Sequence, residues 1–227
     1  MIQAVIFDVD GTLIDSVDLH ARAWVDAFRE IGHDIPHLTM RDRIGKGGDQ
    51  LIPEFLPAGE LEEKGEALEK RRGIIMRERY TPLIRPFSCV PELFRRIRAD
   101  GTRLVLASSA KAEELQVFKR VAGIEELVDA ETSSDDAERS KPHPDIFEAA
   151  FALCGTEDRG AVVTVGDTPY DAEASVRAGL RPVGVRSGGW ADEPLRAAGC
   201  IAVHAGPADL LARYGDTPLA PGPAGRR

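Results

Sequence analysis

The chain has 227 residues, enough for one large domain or for a core carrying a smaller insertion. Hydrophobic residues make up 43% and charged residues 30%, a balance that excludes a disordered or fibrous chain. Its 29 Lys plus Arg against 38 Asp plus Glu give a formal charge of -9, which argues against binding nucleic acid or an anionic membrane by bulk electrostatics.

The N-terminal MIQAVIFDVDG has no basic lead and carries acids inside its apolar stretch, so it does not read as a signal peptide. No apolar run approaches the ~20 residues needed to cross a bilayer. Cys89, Cys154 and Cys200 are odd in number and widely spaced, which suits reduced thiols better than a disulfide framework or a zinc site. The expectation is a soluble, cytoplasmic protein without nucleic-acid or membrane partners.

Short apolar runs rich in β-branched residues recur at Ile2–Phe7, Arg103–Ala107, Ala161–Val165, Arg181–Val185 and Ile201–Val203. They are near-continuous rather than alternating, as in parallel strands buried on both faces. Helical patterns separate most of them. Pro91 to Ala99 ends before Gly101, while Pro144 to Leu153 and Pro169 to Ala178 each open with proline and are followed by glycine. This alternation predicts an α/β fold with a doubly wound, Rossmann-like parallel sheet.

From about Ser16 to Arg85 no convincing strand is found. Val17, Ala21, Trp24, Val25, Phe28 and Ile31 form one apolar stripe at helical period, and Leu61 to Tyr80 is charged and helix-prone with a weak stripe. A loop of that length is improbable in a compact domain, so residues 16–85 are expected to form an inserted α-helical cap. The core is then 1–15 with 86–213. The tail, 214–227, ends in TPLAPGPAGRR and reads as disordered from its Pro/Gly content.

The chemistry gathers where strands end. Asp8-Val9-Asp10-Gly11-Thr12 follows the first run, and positions 8 and 10 of extended chain project to the same side. The same pattern also suits a turn whose acids cap the next element. Asp167-Thr168-Pro169-Tyr170-Asp171 follows a later run. Thr168, Pro169 and Asp171 read equally as a capping box, which leaves Asp167 unexplained. Brought together, these carboxylates would repel by about 4 kcal/mol per pair at 4 Å and an effective dielectric near 20. Such a cluster needs a cation, and all-oxygen ligands in a tight site point to Mg²⁺.

Ser108, at the end of Leu104–Ala107, could bind a phosphate oxygen or merely cap the following helix. Lys141, in Ser140-Lys141-Pro142-His143-Pro144, is either a surface charge or an ammonium held by a stiffened backbone.

In order, the DVDGT segment, Ser108, Lys141-Pro142 and GDTPYD resemble the four motifs of the haloacid dehalogenase superfamily of phosphatases. The likeness spans nearly the whole chain and is closest to the phosphoglycolate phosphatase and β-phosphoglucomutase-like branch. It implies Asp8 as nucleophile, ionised at neutral pH, and Asp10 as the acid that protonates the leaving alcohol and then activates water. That acid role calls for a raised pKa. It further implies Mg²⁺ on Asp8, the Asp10 carbonyl and Asp167, with Asp171 either a ligand or a support behind the ligands, and Thr12, Ser108 and Lys141 holding phosphoryl oxygens. Haloacid dehalogenases lack the second acid, because a halide leaves without a proton; Asp10 therefore favours phosphate esters.

Substrate choice is expected in the cap. His20 reads either as an ordinary polar helix residue or, by resemblance to the phosphoglucomutase-like relatives, as a coupler of cap closure to proton transfer. Lys46, in Arg43-Ile44-Gly45-Lys46-Gly47-Gly48, is a candidate substrate contact. The mutases place an arginine just beyond this loop's first glycine for a second phosphate; Lys46-Gly47-Gly48-Asp49 stands there instead. A phosphatase acting on a small phosphorylated metabolite is therefore expected ahead of a phosphosugar mutase. A phosphoacceptor regulatory module, of about half this length, fits less well.

Overall fold

The apolar runs are near-continuous because the strands they form are covered on both faces. The computed structural model describes residues 1–221. In chain order its elements are β1 (Ala4–Phe7), β2 (Ile14–Asp15), α1 (Val17–Glu30), α2 (His37–Arg41), α3 (Gly48–Leu51), α4 (Ala58–Ile75), β3 (Arg85–Pro86), α5 (Val90–Ala99), β4 (Arg103–Ala107), α6 (Ala112–Ala122), β5 (Ala130–Thr132), α7 (Asp145–Ala152), β6 (Val162–Gly166), α8 (Pro169–Arg177), β7 (Arg181–Val185), α9 (Asp192–Ala197), β8 (Ala202–His204) and α10 (Pro207–Ala212). Among the described residues, no helix is long and apolar enough to cross a membrane.

Six strands form one parallel sheet in the order β5-β4-β1-β6-β7-β8. Along β1, Val5 and Phe7 join one apolar cluster with Leu104, Leu106, Val163 and Val165, closed by Leu93, Phe94 and Ile97 of α5. The Phe7 and Phe94 rings meet at 4.9 Å. Ala4 and Ile6 join the opposite cluster with Val105, Ala107, Ile146, Phe147 and Ala174. Alternate side chains thus serve opposite faces, and neither face can be polar.

The chain runs outward from β1 through β4 to β5, then returns to the other side of β1 with β6. That reversal is a topological switch point, where carboxyl-end loops diverge and leave a crevice. The residues that follow β1, β4 and β6 border it.

The inserted segment is helical, as expected. It leaves and re-enters the core through a two-stranded antiparallel stem, Ile14 opposite Pro86 and Asp15 opposite Arg85. Two residues per strand are too few for a period to show in sequence. β5 escapes notice for the same reason: three residues at a sheet edge, only Thr132 of them buried. The weak stripe of α4 also has a physical counterpart, since only Gly65, Leu68 and Ile75 of its 18 residues are buried.

The expectation of disorder from residue 214 is corrected as far as the described residues reach. Tyr214–Asp216 is a 3-10 turn, and Tyr214, Thr217 and Leu219 are buried. The Thr217 hydroxyl donates to the Tyr214 carbonyl at 2.8 Å, and the Arg96 guanidinium stacks over the Tyr214 ring at 4.4 Å. Composition suggested a tail, but two large side chains with a place in the core outweigh it. The rest of that expectation, 222–227, lies outside the described residues.

Candidate active site

β1 ends at Phe7, which places Asp8 at the switch point between β4 and β6. Gly11 then turns the chain with φ +76°, a region costly for any residue with a Cβ. β6 ends at Gly166, which delivers Asp167 beside Asp8. Asp171 comes from the first turn of α8, and Lys141 enters on the loop before α7.

These groups meet in the interior. Lys141 Nζ lies 2.6 Å from Asp8 Oδ1 and 2.7 Å from Asp171 Oδ1, and also donates to the Ala107 carbonyl at 3.4 Å. Lys141 is 1% exposed, so it is not the surface charge that most lysines are. The Thr12 hydroxyl reaches Asp8 Oδ2 at 3.0 Å and Asp167 Oδ1 at 3.2 Å, its one proton shared between them. Asp171 forms the capping box the sequence allowed and has an oxygen to spare. Its Oδ2 and amide close a capping box with Thr168, while Oδ1 faces Lys141.

Asp8, Asp167 and Asp171 each offer an oxygen within 4.8 Å of the others, and all three are buried. Asp167 Oδ2 is buried with no hydrogen-bond partner among the described residues. The space around that atom is kept open by glycine. A Cβ on Gly11 would stand 2.4 Å from it and one on Gly188 only 1.6 Å. A buried anionic oxygen without a donor is costly, and a cluster of hard oxygen donors at this spacing fits a divalent cation.

Two sequence expectations about protonation are corrected. Burial pushes the Asp8 carboxyl up to about 7, with Lys141 opposing and Asp171 and Asp10 adding to the rise; without a cation it is not the fully ionised acid expected from its ordinary value. Burial would raise Asp10 too, but the nearby His20 charge, then hydrogen bonds from His20 and Ser16, hold it below the usual carboxylate range. The acid role implied by the resemblance called for a raised value. Instead Oδ1 accepts from Ser16 Oγ at 2.6 Å and pairs with His20 Nε2 at 2.8 Å. Asp167 lies well above its ordinary value, through burial and then the charges of Asp171 and Asp8. Burial alone would lower Lys141, but Asp171 and Asp8 raise it above the ordinary lysine range.

The other expected residues take varied places. Ser108 is fully buried, and its Oγ accepts from the Ala110 amide at 3.1 Å. Lys46 lines the cleft over the cluster, yet its ammonium pairs with Glu54 and lies over the Tyr170 ring at 4.7 Å. Sequence reasoning missed Ser16, Gly188 and the docking of cap on core. Arg41 joins Asp18 at 2.8 Å to the Gly188 carbonyl at 2.9 Å, Tyr170 donates to the Asp42 carbonyl at 2.7 Å, and the Ser140 amide donates to Asp49 at 3.1 Å. Ser187-Gly188-Gly189 at the carboxyl end of β7 was the available signal, since strand ends on that edge form the crevice.

The fold is a parallel α/β core with acids at the ends of two adjacent strands, a buried lysine between them and a helical insertion above. The comparisons agree. A family model of haloacid dehalogenase-like hydrolases matches residues 5–185, and the chain belongs to that family. Over 186 residues it is 29% identical to a phosphoglycolate phosphatase of Cereibacter sphaeroides, covering 78% of this chain and 82% of that one. It is 30% identical over 195 residues to the chloroplastic protein SUPPRESSOR OF QUENCHING 1 of Arabidopsis thaliana, covering 82% of this chain but 18% of that protein. The crystal structure of a hydrolase from Pseudomonas syringae superposes with a TM-score of 0.85 at 25% identity, covering 94% of this chain and 98% of that one. Within the family the chain is a phosphatase.

Proposed function

We propose that the protein hydrolyses the phosphomonoester of a small metabolite through an aspartyl-phosphate on Asp8, with Mg²⁺ as cofactor. The observation that carries this is the buried Lys141 ammonium, 2.6 Å from Asp8 in a cluster of three carboxylates. A buried cation aimed at the nucleophile can follow charge from the carboxylate to a transferring phosphoryl group.

Asp8, Asp167, Asp171 and the Asp10 carbonyl would hold the ion, which when bound supplies positive charge to the phosphoryl oxygens and permits Asp8 to ionise. Asp8 Oδ attacks phosphorus and the ester oxygen leaves. Thr12, Ser108 and Lys141 donate to the equatorial oxygens. Asp10 lines the cleft with Oδ1 fixed by Ser16 and His20, so Oδ2 is left to face the leaving oxygen. A proton held on the His20 imidazole can cross to Asp10 as Asp10 protonates the alkoxide. Asp10 then accepts a proton from the water that hydrolyses the acyl phosphate, and its depressed basicity as an isolated acid is balanced by the same histidine. Residues 46–49 beyond the loop's first glycine read Lys-Gly-Gly-Asp, without the arginine for a second phosphate, which supports water rather than sugar as final acceptor. Three free cysteines, two of them buried, support a cytoplasmic setting.

The test is initial-rate hydrolysis of an aryl phosphate and a metabolite panel with Mg²⁺. Turnover is expected in the native protein and not in Asp8→Asn. Equal rates in the two proteins would end the proposal. Beryllium fluoride should raise the melting temperature of the native protein with Mg²⁺ present and leave Asp8→Asn unmoved.

A further inference from the structure

Where the leaving group goes is set by Asp10, because the atom it protonates must face it. Asp10 is held by His20, so the ester's alcohol continues from the phosphoryl cleft on the His20 side. The opposite side is shut by the cap loop. A Cβ on Gly47 would stand 1.9 Å from Ser140 Oγ, and the Ser140 amide donates to Asp49 there.

The cleft above the carboxylates measures about 200 Å³, room for a phosphoryl group and a few further atoms. On the His20 side it adjoins a groove of about 730 Å³ between α4 and α6. The two share Glu69, Arg72, Lys111 and Glu114 as lining, and Lys111 pairs with Asp135 at 2.9 Å. Phe118, at the groove's inner end, stands edge-on to His20 with ring centroids 6.2 Å apart. The groove alone falls within the range of pockets that enclose whole organic ligands, roughly 300–1,000 Å³; the cleft alone does not.

Charged side chains rim the groove, and its apolar lining comes from one residue of α4 and two of α6. Ile74 of α4 is 38% exposed despite its size, and Val117 and Phe118 line the facing side from α6. Arg72 stands at the junction. Its guanidinium lies over the Trp24 ring at 5.0 Å, its Nε is buried without a partner, and no ion pair among the described residues includes it.

We infer that the substrate is a phosphomonoester of a bulky alcohol, with an apolar body of aromatic-ring size or larger seated between Ile74 and Val117 and a polar atom near its head facing Arg72. The inference rests on the phosphatase function proposed above. It assigns substrate choice to the α4–α6 groove rather than to the Lys46 loop.

Ethyl phosphate and 4-phenylbutyl phosphate test it, since both leave as primary alkoxides and differ only in what could enter the groove. With Mg²⁺, kcat/KM for the phenylbutyl ester should exceed that for the ethyl ester by roughly 10- to 100-fold, the value of burying one aromatic side chain. Ile74→Trp and Val117→Trp fill the groove from opposite walls, and each should bring that ratio close to one; unchanged melting temperatures would establish that the variants are folded. Turnover with no preference for the longer ester, or a preference unmoved by both variants, overturns the inference and leaves the phosphatase function standing. No turnover of either ester above the Asp8→Asn control overturns the inference, and the phosphatase function falls with it only if the aryl phosphate and the metabolite panel fail too.

Discussion

His20 Nε2, on the first helix of the insertion, lies 2.8 Å from Asp10 Oδ1, on the loop that follows the first core strand. Ser16 holds the same oxygen at 2.6 Å. One carboxylate thereby joins the insertion to the loop that carries Asp8, and its hydrogen bonds depend on whether the two parts meet. His20→Gln should lower kcat for alkyl phosphates by about 100-fold, in the range that general acid–base catalysis contributes. For p-nitrophenyl phosphate, whose leaving group needs little protonation, the loss should stay within about threefold. Equal losses on the two substrates would give His20 only a structural part.

Lys141 offers a second case, because it is almost wholly buried between Asp8 and Asp171. Removing one partner of a buried ion pair leaves uncompensated charge, at a typical cost of about 3–5 kcal/mol. Lys141→Ala should lose turnover and, in chelator, unfold at clearly lower urea concentration. Lys141→Arg should regain part of the stability without the activity, because a planar fork cannot occupy the place of a compact ammonium. Native-like urea midpoints for Lys141→Ala would show that the ammonium does not hold the cluster together.

How much of this could be read beforehand follows the range of the interactions. Asp8 and Asp167 were legible because strand ends in a parallel sheet converge, so position along the chain already implied proximity; Lys141, on the loop before α7, was legible only through the resemblance of its Lys-Pro motif. The state of Asp10 was not, because it is set by a histidine and a serine whose approach depends on the fold of the insertion. The ion pair of Lys46 was not legible either, since Glu54 lies eight residues away across a turn of the cap segment. The end of the chain misled in the opposite way. Its prolines and glycines suggest disorder, yet Tyr214 and Leu219 have seats in the core that composition does not reveal.

Charge crowding predicts how a cation should act on stability. The Asp8 carboxyl titrates near 7 in the folded protein against an ordinary value of 3.8. Between those values the folded state binds more protons than the unfolded state, so in chelator this group's contribution to stability falls as pH rises from about 4 to about 7. Asp167, also raised, acts in the same direction. Millimolar Mg²⁺ competes with those protons. Its effect on melting temperature should therefore be small at pH 5 and largest near pH 7.5. A metal effect that is equal at both pH values would mean that the cation is held elsewhere.

Gly188 is the sharpest test of the cluster's geometry, because a single methyl group is enough to disturb it. The glycine lies in the loop after β7, where Ser187 donates to the Gly11 carbonyl at 2.7 Å and Arg41 reaches the Gly188 carbonyl. A Cβ at 188 would sit 1.6 Å from Asp167 Oδ2, far inside contact distance, so Asp167 must turn away or the loop must retreat. Either movement pulls an oxygen out of the set that Asp8, Asp167 and Asp171 form. Gly188→Ala should keep the fold, since the loop lies at the crevice and not in the packed sheet. It should weaken Mg²⁺ by about 10- to 100-fold, the usual scale when a ligand loses its orientation, with KM for substrate moving much less. Gly189→Ala serves as the control. There a Cβ meets the flexible Arg41 guanidinium rather than a carboxylate of the cluster, though its φ of +97° adds strain. If Gly188→Ala binds Mg²⁺ as the native protein does, the cation does not rest on Asp167.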